Sequence, residues 1–163
     1  MDSDQLRAIQ APLKARYRED PDAALVTLTA DGDLADGVAC SLQTGRALNE
    51  AGLHPASGGD GSQLCSGDML LEALVACAGV TLKAVATSLG VTVAGSLRAE
   101  GDLDFRGTLG VDKEAPVGFR AIRLHFDLDT DADDEQRATL LKLTQRYCVV
   151  LQTITAGAPV ELV

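Results

Sequence analysis

A long segment without a polar face constrains this fold more than any other feature. Residues 69–80 read Met-Leu-Leu-Glu-Ala-Leu-Val-Ala-Cys-Ala-Gly-Val, and apolar residues continue to Leu89. Ser66 before this run, Asp68 in its first turn and Gly90 after its end are typical of helix termini. The pattern therefore predicts one long helix. Because a helix that is apolar all round is buried all round, we expect sheet, a second subunit or both to cover it.

The rest of the chain predicts a single α+β domain over residues 1–163, with antiparallel sheet. A polar amphipathic helix from Ser3, its expected cap, to about Arg18 forms an N-terminal extension over 1–23. The other expected elements are strands at 24–30, 38–43, 91–106, 119–128, 149–154 and 160–163, a turn at Asp31-Gly32, a loop over 51–67 and a helix over 134–147. The expected apolar stripe of that last helix is Ala138 and Leu141, with Gln145 as a further candidate and with Leu140 and Leu143 flanking it.

Charge and the N-terminal composition narrow the partners and the compartment. The chain has 14 basic and 24 acidic residues and a formal charge of −10, which disfavours binding to nucleic acid or an anionic membrane. The N terminus carries acids where a secretory signal has a basic region, and Glu72 and Lys83 interrupt the long apolar helix. We expect a cytoplasmic protein that does not span a membrane, in which any disulfide is transient and catalytic.

The cysteines occupy different settings. Cys77 lies in the middle of the apolar helix, and Cys148 follows the polar helix far along the chain. If the fold brings them together they form a redox dithiol; otherwise they are small core residues. Cys65, in the loop before the helix, is either an incidental exposed thiol or an alternative resolving cysteine. Cys40 is expected to be structural or incidental in a strand.

The sequence does not predict a metal site. It contains no Cys-x-x-Cys or His-x-x-x-His spacing. His54 falls in a loop rich in glycine and proline, His125 falls in a strand, and both are expected to be ordinary residues.

Several segments together resemble one known family. They are Gly45-Arg46, Gly58-Gly59, the run from Ser66 to Cys77, Thr81-Leu82, Ala84–Ala86, Pro116–Phe119, Leu128–Asp131 and the helix that leads to Cys148. From about Ala24 to the C terminus the chain is similar to the OsmC/Ohr family, in its OsmC-like subgroup, named for osmotic induction and organic hydroperoxide resistance.

The resemblance implies an intertwined homodimer in which two central helices are wrapped by sheet from both subunits. It also implies an antioxidant enzyme, a cysteine-based peroxidase acting on organic hydroperoxides in oxidative-stress defence. Cys77 would become a sulfenic acid, Cys148 would resolve it as a disulfide, and an external dithiol, small or protein-bound, would reduce the pair. This chemistry requires neither a metal nor an organic cofactor.

The groups that would activate Cys77 differ from those of the family. Relatives use an arginine and a glutamate, and the glutamate lies ten residues before the first cysteine. At that position this chain has Gly67, with Asp68 next to it. Arg46 is the candidate arginine. Glu72 lies about 140° from Cys77 around the helix, so it could support the thiol only by reaching the other subunit.

A second departure motivates an alternative function. Val149 follows Cys148 where relatives usually carry proline, and the family glutamate is missing at Gly67. These changes also fit a non-catalytic, dimeric binding or stress-response protein that keeps the fold and has a drifted active site.

Overall fold

The structure, a computed structural model, describes the backbone of residues 31–35, 39–44, 47–109 and 112–163, and the side chains from Glu50 onward within these ranges. In the N-terminal segment it describes Asp2, Asp4, Gln5, Ala8, Ala11 and Glu19. The strand predicted at 24–30, most of the 1–23 extension and the cap predicted at Ser3 therefore lie outside the described residues. The Asp2 carboxylate accepts the N–H groups of Asp4 and Gln5, as a helix cap does.

The described chain contains six strands and four α-helices. The strands are β1 (Asp31–Ala35), β2 (Ala39–Thr44), β3 (Ala47–Gly52), β4 (Leu64–Cys65), β5 (Val93–Asp102) and β6 (Ala121–Thr130). The α-helices are α1 (Ser66–Leu89), α2 (Phe105–Thr108), α3 (Asp134–Tyr147) and α4 (Val149–Ala156), and Pro55–Ser57 form a 3₁₀ turn. The mixed helix and sheet composition agrees with the predicted fold class.

The chain divides into two compact units. The first consists of residues 1–27, 73–98 and 125–163, and the second of residues 28–72 and 99–124. The long elements α1, β5 and β6 each contribute residues to both.

The second unit contains a four-stranded sheet in the order β1-β2-β3-β4. The pairs β1–β2 and β2–β3 are antiparallel, whereas β3 and the two-residue β4 run parallel. The turn predicted at Asp31-Gly32 is wrong, because these residues begin β1 and pair with Gln43 and Leu42. The predicted loop over 51–67 is interrupted at both ends, by β3 and by β4, which the local glycine content concealed.

The hairpin β5–β6 is antiparallel: the Thr130 hydroxyl bonds to the Thr92 carbonyl at one end, and the Arg120 N–H bonds to the Asp102 carbonyl at the other. Along β6 the side chains alternate between exposed and half-buried, as a period-two pattern predicts. The strand predicted at 91–106 is shorter than expected, because the Asp104 side chain caps helix α2.

Helix α1 has the predicted bounds, and Gly90 follows it with φ 69°. Its buried residues form one face: Leu74, Ala78, Leu82, Val85 and Ala86. In the first unit, Leu82, Val85 and Ala86 pack with Val93 and Leu140 in the core. The prediction that α1 is buried on all sides does not hold within a single chain, because Val80 on the opposite face is 72% exposed. Among the described residues, α1 is also the one helix long and apolar enough to cross a membrane. This is weak evidence for a membrane span, because a buried core helix can have the same length and composition.

Helix α3 has the predicted bounds and begins with a capping box between Asp133 and Gln136. Its buried residues are Leu140, which was predicted to flank the stripe, and Thr144. Of the predicted stripe, Leu141 is half-buried and packs against the core, whereas Ala138 and Gln145 are exposed. Thr144 can be buried because its hydroxyl donates to the Leu140 carbonyl at 2.8 Å.

The C-terminal segment differs from its prediction. Residues 149–154 belong to helix α4, and residues 160–163 have no regular structure. The β-branched residues favour a strand locally, but the half-buried Val150, Leu151 and Ile154 have helical spacing. Gly157 ends the helix with φ 66°.

Candidate active site

Two helices of the first unit bring the predicted pair of thiols together. Cys77 lies within α1 and is half-buried, and Cys148 joins α3 to α4 and is 0% exposed. The two thiols interact, since hydrogen bonding from Cys148 lowers the pKa of Cys77 and Cys77 raises the pKa of Cys148. The sequence left open whether these residues meet, and the fold places them in contact.

The environment of Cys77 lowers the pKa of its thiol below the ordinary value. Burial acts in the opposite direction and raises the pKa, but the hydrogen bonds received by the sulfur outweigh it. The donors, in order of effect, are the Val150 N–H, the Cys148 thiol, the Val149 N–H and the Thr81 hydroxyl. The Thr81 contribution is the smallest, and this hydroxyl also donates to the Cys77 carbonyl at 2.8 Å.

The pKa of Cys148 moves the other way. Burial raises it most, and the neighbouring Cys77 raises it further, because two adjacent thiolates repel each other. The N–H groups of Leu151 and Val150 oppose this effect without cancelling it. Cys77 therefore ionises first, and Cys148 remains protonated and stabilises the Cys77 thiolate as a donor.

The N terminus of α4 is the feature that the sequence analysis missed. The first N–H groups of a helix have no partner within the helix and stabilise negative charge placed against them. Here the N–H groups of Val149 and Val150 point to Cys77. Backbone amides leave no signature in residue type, and the expectation of a strand at 149–154 concealed this one.

Among the remaining candidates, those that the structure describes are not among the groups that shift the pKa of Cys77. Arg46 lies outside the described residues. Asp68 and Glu72 are exposed, Cys65 is half-buried, and all three belong to the second unit. Among the described residues, the Cys77 thiol receives its hydrogen bonds only from Cys148, Thr81 and the α4 amides.

The part of the chain that the structure describes holds no group of three or more His, Cys, Asp or Glu residues able to bind a metal. The chemistry visible at this site is that of the two thiols.

Comparisons with known proteins agree with this architecture. The family of OsmC-like proteins matches residues 59–163. An OsmC-like protein from Mycoplasma pneumoniae has 15% sequence identity and a TM-score of 0.68, and the match covers 81% of this chain and 89% of that one. An OsmC-like protein of unknown function from Vibrio cholerae has 11% identity and a TM-score of 0.64, with 79% and 94% covered. No curated protein matches significantly.

A mixed fold built on a long apolar helix, with this family match over more than half of the chain, defines the class. The chain belongs to the OsmC-like protein family. A hypothetical protein from Aquifex aeolicus VF5 shares the fold at 14% identity, with a TM-score of 0.61 and coverage of 82% and 91%.

Proposed function

We propose that this chain is a thiol-dependent peroxidase that reduces organic hydroperoxides in the cytoplasm, in defence against oxidative stress. Family membership supports a stress-related role associated with peroxide chemistry. The observation that carries the proposal is the thiol pair itself, in which Cys77 has a lowered pKa and receives a hydrogen bond from Cys148.

In the first step the Cys77 thiolate attacks one oxygen of the hydroperoxide. A sulfur–oxygen bond forms, the oxygen–oxygen bond breaks, and the leaving alkoxide takes up a proton and departs as the alcohol. The sulfur loses two electrons and becomes a sulfenic acid. The α4 amides support this step because they lower the pKa of Cys77 and so increase the fraction of the attacking thiolate.

In the second step the Cys148 sulfur attacks the sulfenic acid. The Cys77–Cys148 disulfide forms, and the hydroxyl group leaves as water with the proton of the Cys148 thiol. Because the two sulfurs are hydrogen-bonded in the reduced protein, they start as neighbours. An external dithiol, small or protein-bound, then supplies two electrons and restores both thiols.

The surroundings of Cys77 favour organic over hydrogen peroxide. Val149, whose N–H contacts the thiol, is 69% exposed. An alkyl group bound against this side chain gains about 25 cal/mol for each Å² of apolar surface removed from water. Hydrogen peroxide offers no such surface.

The active unit is proposed to be a homodimer. The face of α1 opposite the core contains exposed small and apolar residues, including Leu70, Ala73, Ala76 and Val80. These positions recur at helical spacing and form a continuous stripe. A second copy that packs its own α1 on this stripe would bury the helix on all sides.

The test is stopped-flow consumption of cumene hydroperoxide and hydrogen peroxide by the reduced protein. We expect the organic peroxide to react faster, Cys77→Ser to react no faster than buffer, and Cys148→Ser to consume one equivalent, as wild type does, but to retain the sulfenic acid instead of forming the disulfide. Cys65→Ser is the matched control and should react as wild type does. If Cys77→Ser consumes peroxide at the wild-type rate, the proposal is wrong.

One observation favours a second candidate, a small-molecule binding protein. The first unit contains a cavity of about 390 Å³ lined largely by apolar residues, among them Leu82, Val93, Leu97 and Leu128. Lys83 borders it and donates to the Val93 carbonyl at 2.8 Å. Under this alternative, Cys77→Ser changes neither peroxide consumption nor ligand binding, and native mass spectrometry of purified protein shows a bound apolar molecule.

A further inference from the structure

A second cavity, lined entirely by residues of the second unit, carries chemistry that the peroxidase proposal does not use. Its volume is about 150 Å³, and its apolar wall consists of Leu71, Leu103, Phe105 and Phe119. A cavity of ~150 Å³ holds a ligand of about six heavy atoms. The space therefore suits a small metabolite and excludes a long peptide or lipid.

Packing fixes the aromatic wall. The Phe119 ring lies against Gly101 so closely that a Cβ at this position would overlap it. A Cβ on Gly67 would lie 3.4 Å from the Phe119 ring and 3.6 Å from the Cys65 sulfur, so both groups border the same space. Glycine at 101 thus lets the Phe119 ring pack against the backbone, and glycine at 67 leaves the space between Phe119 and Cys65 without a side chain.

Three polar side chains line the same cavity: His54, Cys65 and Asp68. The His54 ring stacks on Phe105 with centroids 5.0 Å apart, and its Nδ1 accepts the Ala56 N–H at 3.0 Å. In the neutral ring the proton is therefore on Nε2, which is left as a donor. Within the described part of the chain, neither the Cys65 thiol nor the Asp68 carboxylate makes a hydrogen bond or ion pair, and the His54 Nε2 has none.

These groups differ in what they recognise. An N–H donor pairs with a carboxylate, a carboxylate pairs with an ammonium group, and a thiol pairs covalently with sulfur. A small α-amino acid that carries a thiol has all three functions on about seven heavy atoms, which the cavity volume accommodates.

We propose that this cavity binds a small zwitterionic aminothiol of the cysteine class, and that Cys65 exchanges with its disulfide to form a mixed disulfide. The ligand carboxylate faces His54 Nε2, its ammonium group faces Asp68, and its carbon atoms contact Phe105 and Phe119. The site does not depend on Cys77 or on peroxide.

In this exchange the small disulfide is the oxidant of Cys65, so no other oxidant is required. The Cys65 thiol loses its proton to water, and the thiolate attacks one sulfur of the symmetrical disulfide. A new bond to Cys65 forms, the original sulfur–sulfur bond breaks, and the second half leaves as a thiolate that takes up a proton. One disulfide is consumed and one is formed.

The test compares three disulfides at equal concentration on the full reduced chain: cystine, cystamine, which lacks the carboxylate, and 3,3′-dithiodipropionate, which lacks the ammonium group. Intact mass with peptide mapping follows the adduct on Cys65, and Cys65→Ser confirms the assignment. We expect cystine to label Cys65 at least about fivefold faster than either analogue, the effect of about 1 kcal/mol from one polar contact.

Two variants separate the contacts. Asp68→Asn should slow labelling by cystine and cystamine and leave dithiodipropionate unchanged, whereas His54→Phe, which keeps the stacked ring, should slow cystine and dithiodipropionate and leave cystamine unchanged. Equal rates for the three disulfides, variants that leave the order unaltered, or an unlabelled Cys65 would each overturn the proposal. Because the readout is the adduct on Cys65, the result is independent of peroxidase activity at Cys77.

Discussion

At the residue scale, the groups that lower the pKa of Cys77, within the part of the chain that the structure describes, are neutral hydrogen-bond donors. The thiol receives hydrogen bonds from backbone amides and from Cys148, and these outweigh the effect of burial on its pKa. Cys148 thus has two roles in the proposed mechanism. It stabilises the thiolate before reaction and attacks the sulfenic acid afterwards.

The donor role of Cys148 is testable by comparing Cys148→Ala with Cys148→Ser. Alanine removes the donated hydrogen bond, so the pKa of Cys77 should rise, and less thiolate should be present at neutral pH. Serine keeps a hydroxyl donor, and the pKa of Cys77 should stay closer to that of wild type. The measurement is the pH dependence of Cys77 alkylation by iodoacetamide. Identical profiles for the two variants would show that Cys148 does not act as a donor.

At the element scale, the N terminus of α4 supplies amide donors that lower the pKa of Cys77, whereas the role predicted for Arg46 stays a prediction. Cys148 immediately precedes the helix and has an extended backbone, with φ −72° and ψ 107°. This conformation directs the first N–H groups of α4 toward Cys77. It is also the conformation that a residue before proline prefers.

Val149→Pro should therefore be tolerated, because proline is favoured at the first position of a helix. It removes one N–H donor, so we expect the pKa of Cys77 to rise and alkylation at neutral pH to slow. Val149→Ala, which keeps the N–H, is the control and should match wild type in alkylation, with circular dichroism confirming that both variants fold. If the two variants are alkylated at the same rate, the Val149 amide does not stabilise the thiolate.

The elements also show which parts of the structure the sequence could predict. The bounds of α1 and α3 were predictable because their termini carry local signals. Gly90 follows α1, and Asp133 precedes α3. The identity of α4 was not, because its β-branched residues favour a strand, and the helix depends on tertiary packing. In the same way, the family resemblance pointed to both thiols, whereas the amides that activate Cys77 have no sequence signal.

At the scale of the whole molecule, the exposed apolar stripe of α1 is the main unexplained surface of the described chain. Leu70 is 40% exposed and Val80 is 72% exposed. A long apolar helix that is half exposed would promote aggregation. A two-fold homodimer through this face covers the helix in both subunits and leaves no apolar surface open to further copies.

The dimer is testable at Val80. Val80→Glu would bury an unpaired carboxylate at the proposed interface, at a cost of several kcal/mol, and should convert the dimer to monomer in analytical ultracentrifugation. Val117→Glu is the matched control, because Val117 is 66% exposed and lies outside α1, and it should remain dimeric. A monomeric wild type, or a Val80→Glu variant that stays dimeric, would contradict the α1 interface.

The central claim is that Cys77 and Cys148 act as one dithiol, and the most direct measurement is intact mass after one equivalent of cumene hydroperoxide. The account predicts a loss of two hydrogens within a single turnover, a mapped Cys77–Cys148 disulfide, and a gain of one oxygen on Cys77 in Cys148→Ser. A protein whose mass does not change, or an oxidation that maps to Cys65, would contradict it.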